Sequence, residues 1–122
     1  MKSRRIFILG FSTLCLVLFL PACFKLDTEP QLLIRVLDEK GAGVSGAYVA
    51  LFENQDEWSK RINPVQVWRR TDPEGRVIFE GLQPAIYYIY ARYDGKDNST
   101  GEIATHEALR ENFRHNIIVH IR

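Results

Sequence analysis

The sequence predicts an all-β protein, a single antiparallel Greek-key β-sandwich of about seven strands behind an N-terminal signal segment. Three observations carry that prediction. Beyond residue 30 the apolar residues recur at every second position, the pattern of half-buried strands. The runs are short, spaced roughly 8–15 residues apart, and separated by turns rich in Gly, Pro, Asp and Asn. No stretch after residue 30 carries an apolar helical stripe of useful length, which excludes a helical bundle.

The 122 residues leave room for one domain, and the first 22 read as a targeting segment. Met1-Lys2-Ser3-Arg4-Arg5 is a short basic region, and Ile6 to Leu20 is an uncharged apolar run. Fifteen helical residues reach about 22 Å, short of the roughly 30 Å hydrocarbon core of a bilayer, so the run fits a signal peptide better than a span. Leu20-Pro21-Ala22-Cys23 follows, and it resembles the lipobox of bacterial lipoproteins, with Pro21 in place of the usual small residue. The resemblance implies cleavage before Cys23 and palmitate-type acylation of that cysteine. Two or three acyl chains hold a membrane firmly where one does not. The chain then divides into a signal peptide (1–22), a lipidated cysteine and tether (23–30) and a β-sandwich (31–122). The competing reading is an ordinary secretory peptide with an incidental cysteine. Phe24 stands where an Asp would resemble an inner-membrane retention signal, which points to the outer membrane; periplasmic or surface exposure stays open.

Cys15, the other cysteine, lies in the segment to be removed, so a chain starting at Cys23 has no disulfide and no free thiol. Losing Lys2, Arg4 and Arg5 leaves 13 basic residues against 15 acidic ones, and the formal charge moves from +1 to −2. A mixed surface of that kind argues against nucleic acid as partner. No cofactor is expected beyond the lipid.

Each strand can be placed in turn. Gln31–Asp38 puts Leu32, Ile34 and Val36 on one face, and Ala47–Glu53 does the same with Ala47, Val49 and Leu51. Asn54 to Pro64 reads as a polar connection containing Trp58, and Val65–Thr71 as the third strand. Asp72-Pro73-Glu74-Gly75 has Asp, Pro and Gly at the first, second and fourth positions of a type I turn. Arg76–Glu80 and Ala85–Tyr93 are the fourth and fifth strands, and 94–101 is a polar loop. Glu102–Asn112 has no clear period. Phe113–Ile121 closes the chain with Ile117, Val119 and Ile121 on one face.

With the turns placed, an ordered pattern emerges: Val36-x-Asp38, Gly43-Val44-Ser45-Gly46-Ala47-x-Val49-x-Leu51, then Thr71-Asp72-x-Glu74-Gly75-x-Val77-x-Phe79-x-Gly81-Leu82-x-Pro84-Ala85-x-Tyr87-x-Ile89. It resembles the carboxypeptidase regulatory-like, or prealbumin-like (transthyretin-like), β-sandwich over residues 32 to 93. Ala85-Ile86 stands where that family usually has Gly before the Tyr. The resemblance implies a non-enzymatic accessory or binding module of the kind common in small Bacteroidetes lipoproteins. Phe79, Leu82, Tyr87 and Ile89 read as core, with Tyr87 placed for a tyrosine-corner hydrogen bond.

No residue set looks catalytic. Enzymes of related sandwiches need a His/Arg constellation with a Tyr-Arg-Gly-Ser tail, or two Tyr and two His around iron; this sequence ends His120-Ile121-Arg122 and has no His-x-His pair. His115 and His120 differ in strand parity and do not converge on a metal. Asp94, Asp97, Asn98 and Glu102 form an oxygen-rich loop, but turn chemistry accounts for them. An isopeptide bond would need a Lys where Arg35 stands. The outward aromatics are the best candidates. If Tyr87, Ile89 and Ala91 face in, then Tyr88, Tyr90 and Arg92 face out, as do Tyr48 and Phe52, with Trp68 opposite Val67. Tyr48, Trp68, Tyr88, Tyr90 and Arg92 are therefore a candidate binding surface. Two readings stay open: recognition of an envelope protein or a glycan, and simple cross-strand pairing of good β-formers. The predicted function is a lipid-anchored, non-enzymatic envelope module with a structural or protein-interaction role; the alternative is a carbohydrate-binding module.

Overall fold

On the first strand the two-residue period is obeyed closely. Leu32, Ile34 and Val36 are fully buried while Arg35 between them is exposed. The computed structural model describes residues 29–122, so the predicted signal peptide, Cys23 and the tether as far as Thr28 lie outside the described residues. Its elements are β1 (Gln31–Leu37), β2 (Tyr48–Phe52), α1 (Gln55–Lys60), β3 (Arg69–Arg70), β4 (Arg76–Phe79), β5 (Tyr88–Tyr93), β6 (Lys96–Asp97) and β7 (Arg114–His120). They form two sheets, β4-β1-β7 and β3-β2-β5-β6, packed face to face.

The inner faces meet in one apolar core. Leu32, Ile34, Val36, Phe79 and Val119 come from one sheet, and Val49, Leu51, Ile89 and Ala91 from the other. Leu82 and Tyr87 close one end, as the alternation predicts. The Tyr87 hydroxyl accepts from the Gln83 N–H at 2.9 Å and donates to the Gln83 carbonyl at 3.3 Å, a tyrosine corner that fixes the entry to β5.

The turn after β3 ties the sheets together. Gly75 N donates to the Asp72 carbonyl at 2.9 Å, and Asp72 Oδ1 accepts from the N–H groups of Glu74 and Arg76. Those amides, the Arg76 N–H foremost, hold the Asp72 carboxyl below its ordinary pKa. Gly75 has φ +84°, and a Cβ there would lie 2.6 Å from the Val36 carbonyl oxygen. Only glycine lets the turn dock on the end of β1. Thr71, buried beside it, accepts from Ala47 N at 2.8 Å and donates to the Val44 carbonyl.

The structure departs from the sequence reading in several places, among them the predicted polar loop 94–101, which holds β6. The third strand shrinks to Arg69–Arg70: Val65 N still donates to the Leu51 carbonyl at 2.8 Å, but 66–68 leaves the ladder and Val67 is 78% exposed. The fifth strand starts at Tyr88, since the N–H of Tyr87 turns to the Thr105 hydroxyl. The aperiodic 102–112 segment runs along the free edge of β5: Ile89 N donates to Ile103 O, Thr105 N to Tyr87 O, and Leu109 N to Ala85 O. One pairing is not antiparallel. β1 runs parallel to β7, from Gln31 opposite Arg114 to Leu37 opposite His120.

Candidate interaction surface

The β2–β5 register brings the predicted outward residues together. Tyr48 stands opposite Arg92, Ala50 opposite Tyr90 and Phe52 opposite Tyr88, all on the face of the four-stranded sheet away from the main core. Trp68, at the approach to β3, joins them with its ring 6.3 Å from Phe52 and 6.0 Å from Tyr90, edge to face in both cases. Parity thus grouped the set correctly.

Outward parity did not mean solvent, however. The predicted polar connection holds α1, and α1 lies across this face. Asn54 caps it, its Oδ1 accepting from Glu57 N at 2.8 Å, while Asp56 and Glu57 occupy the first turn, favourable for the helix dipole. Arg61 ends it in the left-handed region at φ 57°. Trp58 is delivered onto Tyr90 edge to face, ring centroids 6.4 Å apart, and its Nε1–H donates to the Ile89 carbonyl at 2.9 Å. Ala50, Phe52, Trp58 and Tyr90 therefore form a second core.

Two expectations need correction. Phe52 is fully buried and Tyr90 is 7% exposed, so Tyr90 is not part of an open binding surface. Its ring is closed in by Trp58, Trp68 and the Arg61 guanidinium, which sits 3.7 Å from its centroid. Its hydroxyl donates to Asp97 Oδ2 at 3.0 Å. Tyr88 is half-buried. The hydrogen bond from the Ser99 hydroxyl, helped by the Ser99 N–H and by Tyr90, holds the Asp97 carboxyl below its ordinary pKa against the opposing effect of burial.

What stays open is the other end of the face. Tyr48 is 39% exposed, with the Arg70 and Arg92 guanidiniums 5.0 and 5.1 Å from its ring centroid. Arg92 also stands 5.8 Å from Trp68, which is half-buried. Among the described residues neither Arg70 nor Arg92 is held in an ion pair. Tyr48, Arg92 and the flank of Trp68 form one accessible patch, to which Arg70, unnoticed in the sequence, adds a cation.

The other sequence candidates resolve into structure. Asn98 is fully buried: its Oδ1 accepts from Ala91 N at 2.9 Å, and its amide donates to the carbonyls of Ile89 at 2.9 Å and Glu102 at 2.8 Å. Asp94 and Gly95 both have positive φ, 52° and 76°, and make the tight turn between β5 and β6. His115 Nε2 accepts from Arg110 N at 2.8 Å, whereas His120 pairs with Glu102 at 3.3 Å and lowers the pKa of that carboxyl. No group of three or more His, Cys, Asp or Glu that could hold a metal occurs among the described residues, and no described helix is long and apolar enough to cross a membrane.

No protein-family model and no curated protein matches the sequence. Solved structures do resemble the fold. The TIE protein of Bacillus anthracis superposes with a TM-score of 0.56 at 16% identity, covering 78% of this chain and 16% of that one. The group B streptococcus pilus 2b backbone protein gives 0.50 at 19% identity, over 78% of this chain and 40% of that one. This chain thus spans well under half of either. A hydroxyquinol 1,2-dioxygenase of Pseudomonas putida reaches 0.44 at 10% identity, over 81% of this chain and 58% of that one, too weak a likeness to carry any reading of chemistry. At these identities the likeness is one of fold, a prealbumin- or Ig-like β-sandwich.

Proposed function

We propose that the chain is a lipid-anchored, non-enzymatic module of the cell envelope, of the carboxypeptidase regulatory-like kind, which holds an envelope protein against the Tyr48–Arg92 patch. The observation that carries this reading is the half-exposed Tyr48 ring with two guanidiniums beside it, neither spent on a carboxylate. Tyr, Trp and Arg are the side chains that dominate protein-interface energetics. Their mutual stacking holds them in place, which cuts the side-chain entropy lost on binding.

Lipid on Cys23 and an outer-membrane location complete the proposal. Gln31 is eight positions on from Cys23, so a fully extended tether lets the sandwich stand up to roughly 28 Å from its anchor. The Gly81–Gln83 and 110–113 segments lie at the end of the sandwich where β1 begins, and the Asp72–Gly75 turn and Asp94-Gly95 at the other end. The patch lies on the outer face of the four-stranded sheet, whereas β1 belongs to the other sheet. A glycan stacked on the aromatic face is the weaker reading, because Trp58 of α1 covers Tyr90 and Tyr88 is half-buried against the same cluster.

Crosslinking in intact cells followed by affinity capture tests the interaction. One envelope protein should be recovered with the wild type and lost with Tyr48→Ala/Arg92→Ala, while the melting temperature stays unchanged. Equal recovery with the variant would refute the patch. For the anchor, Cys23→Ser should give uncleaved protein without fatty-acid label; label that persists in this variant would refute lipidation at Cys23.

A further inference from the structure

Round the β3 edge from the Tyr48–Arg92 patch lies a second feature, a groove of about 730 Å³ along the edges of β3 and β4 and across the outer face of the three-stranded sheet. Arg69, Arg70, Arg76 and Arg114 line it, over a floor that includes Leu33 and Ile78. Arg35, exposed on the same face, stands directly opposite Arg76. This convergence runs against the composition, since the predicted mature chain has a net charge of −2. The size is within the range of about 300–1,000 Å³ usual for ligand clefts.

The arginines are available for a ligand. Arg114 Nε makes only a long contact of 3.4 Å to Gln31 Oε1, and Arg70 Nε one of 3.4 Å to the Gly46 carbonyl. Arg76 stands 3.9 Å from Asp72 Oδ2, at the outer limit of an ion pair. Two carboxylates also face the groove. Asp72 is engaged through Oδ1 with its turn amides, and Glu80 Oε2 accepts from Gln31 Nε2 at 3.2 Å. The lining thus offers fixed cations, a few acceptors and an apolar floor.

We propose that this groove binds an acidic polysaccharide, a sugar chain bearing uronate carboxylates or sulfate esters. Guanidiniums bind such anions in bidentate fashion. Asp72 and Glu80 accept from sugar hydroxyls, and Leu33 and Ile78 take the carbon faces of the rings. Double-stranded DNA offers no hydroxyl donors to those carboxylates, and they repel its phosphates. An extended peptide added to the β4 edge would run along the strand. The cations instead run across the strands. Arg76 pairs with Arg35 at one end of the face and Arg114 with Gln31 at the other, which puts Arg76 and Arg114 roughly 16 Å apart, corner to corner. A chain laid diagonally over the sheet meets both. The groove lies apart from the Tyr48–Arg92 patch and shares only Arg70 with it.

The test is equilibrium binding of the full chain, purified in detergent, to polygalacturonate, heparin, neutral dextran, polyglutamate and double-stranded DNA. Polygalacturonate or heparin should bind, dextran should not, and binding should weaken as salt rises. Arg69→Gln/Arg76→Gln/Arg114→Gln should lose about tenfold or more in affinity at unchanged melting temperature. Arg114→Gln alone, at an exposed position, should lose about threefold, which decides the matter if the triple variant misfolds. Tyr48→Ala/Arg92→Ala should bind as the wild type does, so failure of the protein-partner reading and failure of this one are separable. The proposal is overturned if neither acidic glycan binds, if polyglutamate or DNA binds as tightly, or if the arginine variants keep full affinity.

Discussion

The two outer faces of the sandwich are written in the same alternating code and end differently. On the four-stranded sheet, six residues of helix put Trp58 over Phe52 and Tyr90 and turn an outer face into a second core. On the three-stranded sheet no helix arrives among the described residues. Leu33, Ile78 and Ile118 stay at least partly open among arginines, with Ile118 48% exposed. Strand parity states which side chains share a face; it does not state what lies on top of them. That is decided by connections, and here by a single tryptophan in a helix that is otherwise polar.

The sharpest way to break the contrast is to remove the roof. Trp58→Ala should cost about 3–4 kcal/mol, since it deletes a buried aromatic and its indole hydrogen bond together. Ile118→Ala on the bare face should cost less than about 1 kcal/mol. Urea titration of both variants measures the difference, and equal costs would mean that α1 is not a roof. Next in size is the wall beside it. Asn98→Ala should cost about 2–3 kcal/mol, because Ala91 N and the Ile89 and Glu102 carbonyls lose a buried partner.

Smaller effects probe how the roof is fastened. Arg61→Ala should cost about 0.5–1 kcal/mol through loss of the guanidinium over Tyr90, read as a drop in melting temperature. Least of all is the pH response at Asp97, the carboxylate that takes the Tyr90 hydroxyl. Its folded pKa lies below the ordinary 3.8. Its contribution to stability is therefore whole above that value and disappears as pH falls through the lower folded value. Asp97→Asn should flatten the stability profile below about pH 4, visible in melting temperatures measured against pH; an unaltered acid limb would show the bond to be inert.

Much of the fold was legible because it rests on local chemistry. Leu32, Ile34, Val36, Ile89 and Ala91 sit in the core as alternation requires, and Asp72-Pro73-Glu74-Gly75 turns as its residues dictate. The tyrosine corner at Tyr87 followed from position alone. What escaped was non-local. Asn54-x-x-Glu57 is a capping pattern, but the helix it starts has only six residues and one apolar anchor, too little for a periodic signal. Burial of Tyr90 depends on that helix, so the candidate surface was drawn too wide by the residue at its centre. Val65–Thr71 alternates well enough for a strand, yet only Arg69 and Arg70 pair with β2. The arginine groove joins residues from β3, β4 and β7, and no spacing along the chain announces it.

The parallel pairing of β1 with β7 bears on how the molecule is made. Gln31 and Arg114, whose side chains touch, are 83 positions apart. β1 is the central strand of its sheet, so one of its two edges waits until Arg114–His120 has been synthesised. Contacts of such long range slow folding, because the loop entropy must be spent before they form. Until β7 arrives, a hydrophobic strand is left with an open side, the usual template for unwanted pairing between chains. Chains truncated before residue 114 should therefore aggregate rather than merely lose stability, which light scattering during refolding measures.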